Sequence, residues 1–168
     1  MSLKLIKRLC RHLFIWPGVV RRYFPFDSMR RIEAAIASNE STHLGEIRFV
    51  VESNLHVLDV LSKKSAKNRA IEVFSQHRVW DTEQNNGVLI YLLLADHDFE
   101  ILADRGIHDH VGDVGWERIC HEMEVLFRRG QFEAGTLYGI KQIGAALAQH
   151  YPANGKDSNE LPNAPVVI

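Results

Sequence analysis

The residues best suited to chemistry follow a predicted β-hairpin. The carboxylates and imidazoles of this stretch are Asp104, His108, Asp109, His110 and Asp113. The polar residues expected opposite them, near the start of the preceding antiparallel strand, are Asp81, Glu83 and Asn86. Oxygen ligands suit Ca²⁺ or Mg²⁺, whereas paired imidazoles with a carboxylate suit Zn²⁺ or another transition ion. The stretch therefore predicts a divalent-cation site, and the alternative is a solvated loop in which Asp113 caps the next helix.

A second acidic pair, Asp96 and Asp98, lies at the predicted hairpin tip. If residues 99–103 are extended, Asp98 and Asp104 are about 20 Å apart at ~3.4 Å per residue, so they cannot bind one ion. Aspartate side chains in turns often accept hydrogen bonds from nearby backbone amides. We interpret this pair as turn residues.

The chain offers few candidates for catalysis. Ser62 and Ser65 lack the Gly-x-Ser-x-Gly context that exposes a nucleophile. His77 and His121 have no visible triad partner. Arg105 could bind a phosphate, and a surface ion pair with a neighbouring acid is the alternative. The residues alone specify no reaction.

The first 26 residues are basic and partly apolar. They carry six cations and no acid, and since the whole chain has a net charge of −1, the remainder carries −7. Apolar and aromatic residues alternate with these cations as in interfacial helices. The residues predicted to meet an anionic membrane or a partner are Lys4, Lys7, Arg8, Arg11, Trp16, Arg21 and Arg22. Alternatively, Leu9, Leu13 and Trp16 pack on the domain or on a partner chain. Nucleic acid is the least suitable partner, because the body is acidic and no stacking platform is evident.

Cysteine spacing and hydropathy bear on the compartment. Cys10 and Cys120 are far apart and form no Cys-x-x-Cys motif. The apolar run at 13–16 is too short for a secretory signal or a membrane span of ~20 residues, and Pro17 and Arg21 follow it closely. We expect a cytoplasmic protein, with membrane association through the basic segment as an option.

Apolar patterning predicts the strands. Residues 45–52 alternate before becoming apolar, which is typical of a strand near a sheet edge. Residues 88–94 are apolar without a break, which indicates a central strand covered on both faces. Residues 99–103 follow a tight Asp-His-Asp connection and should return antiparallel.

Helical spacing predicts the remaining elements. A helix should run from 28 to about 39, and one long or two short helices should lie within 55–77. A stripe from Trp116 to Phe127 and a glycine-containing stretch over 132–147 predict two more. The fold class is therefore a three-layer α/β/α sandwich, Rossmann-like, with about four mixed strands and helices on both faces. We expect a basic segment over 1–27, one domain over 28–151 and a disordered tail over 152–168.

Five local strings resemble the TPM domain, a family of thylakoid lumenal repair proteins and many bacterial proteins. The strings are Thr42-His43-Leu44-Gly45-Glu46-Ile47, Arg69-Ala70-Ile71-Glu72-Val73-Phe74, Asn86-Gly87-Val88-Leu89-Ile90, Asp104-Arg105-Gly106-Ile107 and Gly130-Gln131-Phe132-Glu133-Ala134-Gly135. They occur in the family's order, and the resemblance covers about residues 28–149.

The resemblance implies a Rossmann-like sandwich with an acidic, sometimes calcium-binding cleft at the loops following the strands. It also implies a proposed acid phosphatase activity, for which Asp104 and Arg105 would be the catalytic candidates. Many members carry Gly-Tyr-Gly-Leu-Glu after the hairpin, and His108 stands where their carboxylate is expected. The function expected first is a noncatalytic module that binds a divalent cation or an unknown protein partner through the cleft. A metal-dependent phosphatase and a peripheral membrane adaptor are the alternatives, and no organic cofactor is expected.

Overall fold

The computed structural model describes residues 2–16, 18–155 and 160–168. The described helices and strands are α1 (Leu3–Leu13), α2 (Val19–Tyr23), α3 (Phe26–Glu40), β1 (Ile47–Glu52), α4 (Val57–Leu61), α5 (Ala66–Gln76), β2 (Val88–Leu93), β3 (Asp98–Ala103), α6 (Arg105–Arg128), α7 (Phe132–His150) and β4 (Val166–Val167), with one 3₁₀ turn at Leu94–Asp96. None of the described helices is long and apolar enough to cross a membrane.

The strands form one mixed sheet in the order β3-β2-β1-β4. β1 is parallel to both β2 and β4, whereas β2 and β3 are antiparallel. The central position of β2 and the antiparallel return of β3 are confirmed. β1, which was predicted near a sheet edge, lies one strand in from that edge: β4 pairs with Val50 and Val51, and all six β1 residues are buried.

Alternate residues of the central strands feed two separate cores. Ile90 and Leu92 pack with α2, α3, α6 and α7 on one face of the sheet. Leu89 and Tyr91 pack with α4 and α5 on the other, where Leu5 and Leu9 of α1 also lie. This alternation is the two-residue period of an extended strand, and it confirms the three-layer α/β/α sandwich with helices on both faces.

The helices differ from the prediction mainly after the hairpin. Two short helices, α4 and α5, occupy residues 57–76. The stretch interpreted as a site or solvated loop is helical, because α6 begins at Arg105 with Asp104 as its N-cap. Gly112 interrupts α6 with a φ of 67°, a conformation that glycine adopts without steric penalty.

The chain ends are attached to the domain where they are described. The segment over 1–27 includes Met1 and Pro17, which lie outside the described residues, but α1 and α2 pack on the sandwich. Of the predicted tail, residues 156–159 lie outside the described residues. Residues 160–168 are ordered rather than disordered: β4 pairs with β1, Leu161 is buried, and Arg48 donates to the carbonyls of Pro162 and Ala164. Composition did not reveal this order because it comes from long-range backbone pairing.

Candidate functional site

The exit of the hairpin lies against the loop that leads into β2. The Asp104 amide donates to the Gly87 carbonyl over 2.8 Å, and the Ile107 amide donates to the Asn85 carbonyl over 3.3 Å. These bonds continue the β2–β3 register, in which Val88 faces Ala103. We call the region formed by residues 84–87, residues 104–109 and Tyr151 the hairpin-exit crevice.

Gly106 allows several oxygen atoms to approach one another in this crevice. A Cβ at this position would lie 2.5 Å from the Asn85 carbonyl oxygen, 2.7 Å from the Gln84 carbonyl oxygen and 2.9 Å from the Tyr151 hydroxyl. Two of these neighbours are backbone atoms, which cannot move aside as a flexible side chain can. The absence of a side chain at Gly106 therefore holds two carbonyls and a phenol close together.

Two carboxylates add negative charge beside these oxygens. Asp104, the N-cap residue of α6, accepts the Arg105 amide at Oδ1 over 2.7 Å. Asp104 Oδ2 is buried and has no hydrogen-bond partner among the described residues. Burial, followed by the charges of Asp109 and Asp104, raises the pKa of Tyr151, so both carboxylates act on this phenol. An unpaired buried carboxylate oxygen is costly and calls for a compensating positive charge or donor.

Asn86 contributes a second buried oxygen at the same edge of the sheet. Its side chain is fully buried, and Nδ2 donates to the Leu44 carbonyl over 3.1 Å. Within the part of the chain that the structure describes, Asn86 Oδ1 has no hydrogen-bond partner. The expectation that Asn86 lies near Asp104 follows from the antiparallel register, since its neighbour Gly87 bonds directly to Asp104.

The imidazoles make contacts that do not suit metal ligation. His108 Nε2 lies 3.8 Å from Asp113 Oδ1, and the Asp113 side chain is 88% exposed. His110 stacks on His150 with ring centroids 4.5 Å apart and meets Tyr151 edge-on. Asp81 and Arg105 are exposed. Across residues 2–16, 18–155 and 160–168, no three His, Cys, Asp or Glu side chains are grouped so as to hold a metal ion. The ligands predicted from the sequence therefore do not form such a group, namely Asp81, Asp104, His108, Asp109 and Asp113.

A second acidic centre lies at the hairpin tip, where sequence analysis expected only turn residues. Asp96 Oδ2 accepts Arg8 Nη2 over 2.7 Å, and Asp96 Oδ1 lies 3.1 Å from His12 Nε2 and 3.6 Å from Arg11 Nη2. Burial alone would raise the pKa of Asp96, but Arg8 and His12 outweigh it and hold that pKa below its ordinary value. Asp96 therefore attaches α1 to the domain.

This attachment changes the interpretation of the basic segment. Arg8 points inward and also donates to the Lys64 carbonyl over 2.7 Å. The remaining residues predicted to meet a membrane or partner are exposed, namely Lys4, Lys7, Arg11, Trp16, Arg21 and Arg22. The sequence signal for the inward orientation of Arg8 was one face of α1, on which Leu5, Arg8 and His12 recur at helical spacing.

The family model of the TPM domain matches residues 23–146, which is most of the chain. The chain belongs to the TPM domain family. The match begins in α2 and ends in α7, so it spans the sheet strands β1 to β3 and residues 84–87 and 104–109 of the hairpin-exit crevice, whereas Tyr151 lies outside it. α1 and β4 lie outside the matched residues.

Two solved structures resemble this TPM domain. The BA42 protein of the psychrophilic bacterium Bizionia argentinensis is 32% identical, with a TM-score of 0.75, over 84% of this chain and 93% of that one. The N-terminal domain of a protein from P. gingivalis is 19% identical, with a TM-score of 0.59, over 75% of this chain and 79% of that one, which supports the fold alone. A search of curated proteins finds no match.

Proposed function

We propose that this TPM domain is a noncatalytic binding module whose hairpin-exit crevice takes a divalent cation, with Ca²⁺ as the first candidate. The observation that carries the proposal is Asp104 Oδ2, a buried carboxylate oxygen to which no residue in 2–16, 18–155 or 160–168 forms a hydrogen bond. A cation would supply the missing positive charge. Asp104 and Asp109 would supply charge to the ion, and the carbonyls of Gln84 and Asn85 and the Tyr151 hydroxyl would supply neutral oxygens.

The donor chemistry favours a hard cation. Carboxylates, backbone carbonyls and hydroxyl oxygens suit Ca²⁺ and Mg²⁺, and Ca²⁺ tolerates irregular ligand sets better than Mg²⁺ does. Zn²⁺ prefers imidazole and thiolate. His108 and His110 contact Asp113 and His150 instead, so we do not propose a zinc site.

Thermal unfolding of EDTA-stripped protein, with Ca²⁺, Mg²⁺, Mn²⁺ and Zn²⁺ added separately, tests the proposal. A ligand at 100 times its dissociation constant adds ~2.7 kcal/mol to the free energy of unfolding. At roughly 2–4 °C per kcal/mol for a chain of this size, Ca²⁺ should raise Tm by about 5–10 °C. Zn²⁺ should raise it less than Ca²⁺ does.

Asp104→Asn separates the cation site from helix capping. Asparagine caps helices as well as aspartate does, so the start of α6 should be retained while the charge is lost. The Ca²⁺ shift should disappear in Asp104→Asn and shrink in Asp109→Asn. Asp113→Asn is the matched control on the same helix, and it should keep the full shift because its side chain is almost fully exposed.

The outcomes separate the functions that remain. No shift with any cation would reject the proposal and leave a protein partner at the crevice as the function to pursue. A Ca²⁺ shift that persists in Asp104→Asn would place the ion elsewhere. Phosphatase activity is the second candidate function, since Arg105 is exposed beside Asp104 and could bind a phosphate. Phosphate-ester turnover that depends on both residues would reject the noncatalytic module in favour of an enzyme.

A further inference from the structure

Helix α1 uses only one of its two apolar faces to pack on the domain. Leu5 and Leu9 pack against the core beneath α4 and α5. His12, from the same face, is buried, and its Nδ1 accepts the Leu55 amide over 2.9 Å. Together with the Asp96 ion pairs, these contacts fix the orientation of α1 on the protein.

The opposite side of α1 carries a second apolar arc that faces solvent. Leu3, Ile6, Cys10 and Leu13 recur at intervals of three and four residues, which places them on one helix face. All four are exposed. The chain continues this surface with Phe14, which is 82% exposed, and Trp16, which is 63% exposed. We call these six residues the α1 apolar arc.

Exposed cations border the α1 apolar arc. Lys4, Lys7 and Arg11 lie beside it on α1, and Arg21 and Arg22 are exposed on α2. No acidic residue occurs before Asp27, although the rest of the chain is acidic. An apolar face with flanking cations and an indole is the composition of helices that lie in the membrane interface.

We propose that the α1 apolar arc and its bordering cations dock this protein on the surface of an anionic lipid bilayer. The apolar side chains would enter the headgroup region while Lys4, Lys7 and Arg11 attract acidic headgroups. A bilayer fits better than a second copy of the chain paired through the same arc, because two such surfaces would bring Lys4, Lys7 and Arg11 of each copy together. This site is separate from the hairpin-exit crevice.

Cosedimentation of the full chain with vesicles tests this proposal. Binding should be strong to vesicles of phosphatidylcholine with phosphatidylserine, weak to phosphatidylcholine alone, and reduced by salt. Each cation removed in Lys4→Gln and Lys7→Gln should weaken binding about fivefold. Ile6→Ser with Phe14→Ser should weaken it by about tenfold or more, since both side chains would lose their burial in lipid.

Matched controls remove similar residues from another surface. Ile71→Ser and Lys67→Gln alter exposed residues of α5 and should leave vesicle binding unchanged. All the variants change exposed side chains, so circular dichroism and Tm should match those of the parent protein. As a second measurement, an environment-sensitive fluorophore on Cys10, a member of the arc, should shift to the blue on binding phosphatidylserine vesicles.

Two results would overturn the proposal. One is equal vesicle binding by the arc variants and the α5 controls. The other is self-association of the parent protein, seen by sedimentation equilibrium without lipid, that Ile6→Ser with Phe14→Ser abolishes while vesicle binding persists. That result would assign the arc to a second copy of the chain.

Discussion

Asp96→Asn should detach α1 from its electrostatic anchor while preserving the shape of the side chain. In the parent protein, Asp96 Oδ2 lies 2.7 Å from Arg8 Nη2, and Asp96 Oδ1 lies 3.1 Å from Arg8 Nε. His12 Nε2 approaches the same carboxylate to 3.1 Å. Asparagine can accept one hydrogen bond from Arg8, but it leaves the guanidinium without a counter-charge in a partly buried place.

The burial of the pair sets the size of the effect. Breaking a fully buried ion pair costs about 3–5 kcal/mol, whereas an exposed pair contributes at most ~1 kcal/mol. The side chains of Asp96 and Arg8 are 12% and 18% exposed, so the pair lies between these limits. We expect Asp96→Asn to lower the free energy of unfolding by about 2–3 kcal/mol and Tm by roughly 5–10 °C.

The stabilisation by the Arg8–Asp96 ion pair should depend on pH. The folded protein holds the pKa of Asp96 below its ordinary value. The ion pair therefore stabilises the protein above the unfolded pKa of ~3.9, and this contribution is lost as the pH falls through the folded pKa. The difference in unfolding free energy between the parent and Asp96→Asn should therefore shrink as the pH falls below about 4.

Asp98→Asn is the matched control two residues away. Its carboxylate accepts the Phe99 amide, and burial, helped by the charge of Asp96, raises the pKa of Asp98. Ionised Asp98 therefore gives no stability at neutral pH, and Asp98→Asn should leave Tm unchanged or slightly higher. Urea denaturation of both variants at pH 4 and pH 7 provides the comparison. Equal destabilisation by the two substitutions would refute the role assigned to Asp96.

Two further predictions concern Gly106 and the cysteines. Gly106→Ala should lower the free energy of unfolding by about 1–3 kcal/mol in urea denaturation, because the new Cβ would clash with backbone carbonyls. Alanine normally favours a helix over glycine by ~1 kcal/mol. A stabilised variant would therefore contradict the close approach of these carbonyls to Gly106. Iodoacetamide at pH 8 should modify exposed Cys10 well before Cys120, since burial raises the pKa of Cys120 to about 11. Mass spectrometry of the native protein would show the order of modification, and equal rates would contradict the packing of Cys120.

Local sequence patterns predicted the central strands of this fold but not the contacts between residues far apart in the chain. The uninterrupted apolar run of β2 and the tight turn after it have few alternative structures, so the hairpin was predictable. β4 has only two residues, Val166 and Val167, so it is too short to show the alternation of apolar and polar residues that identifies a strand. The Arg8–Asp96 pair joins residues 88 apart in the chain, and nothing in either local sequence identifies the other partner.

The crevice was predictable only in part, for a similar reason. The antiparallel register places Asp104 opposite the loop that contains Asn86, and that register follows from the hairpin. The orientation of the imidazoles depends instead on how α6 packs against α7, where His110 meets His150. Residue types and the hairpin register therefore predicted that acidic oxygens lie at the crevice, but they could not predict the side-chain contacts of the histidines.

The distance between the two acidic centres makes the two proposals independent of each other. Strand β3 begins at Asp98 and ends at Ala103, so the hairpin tip near Asp96 and the hairpin exit at Asp104 are about 20 Å apart at ~3.4 Å per residue. Substitutions more than ~7–10 Å apart that share no partners usually have additive effects. Asp104→Asn should therefore abolish the Ca²⁺ shift without changing vesicle binding, and Ile6→Ser with Phe14→Ser should do the reverse. If each of the two variants altered both properties, lipid binding and cation binding would be coupled through the sheet, and neither surface could be treated as a separate site.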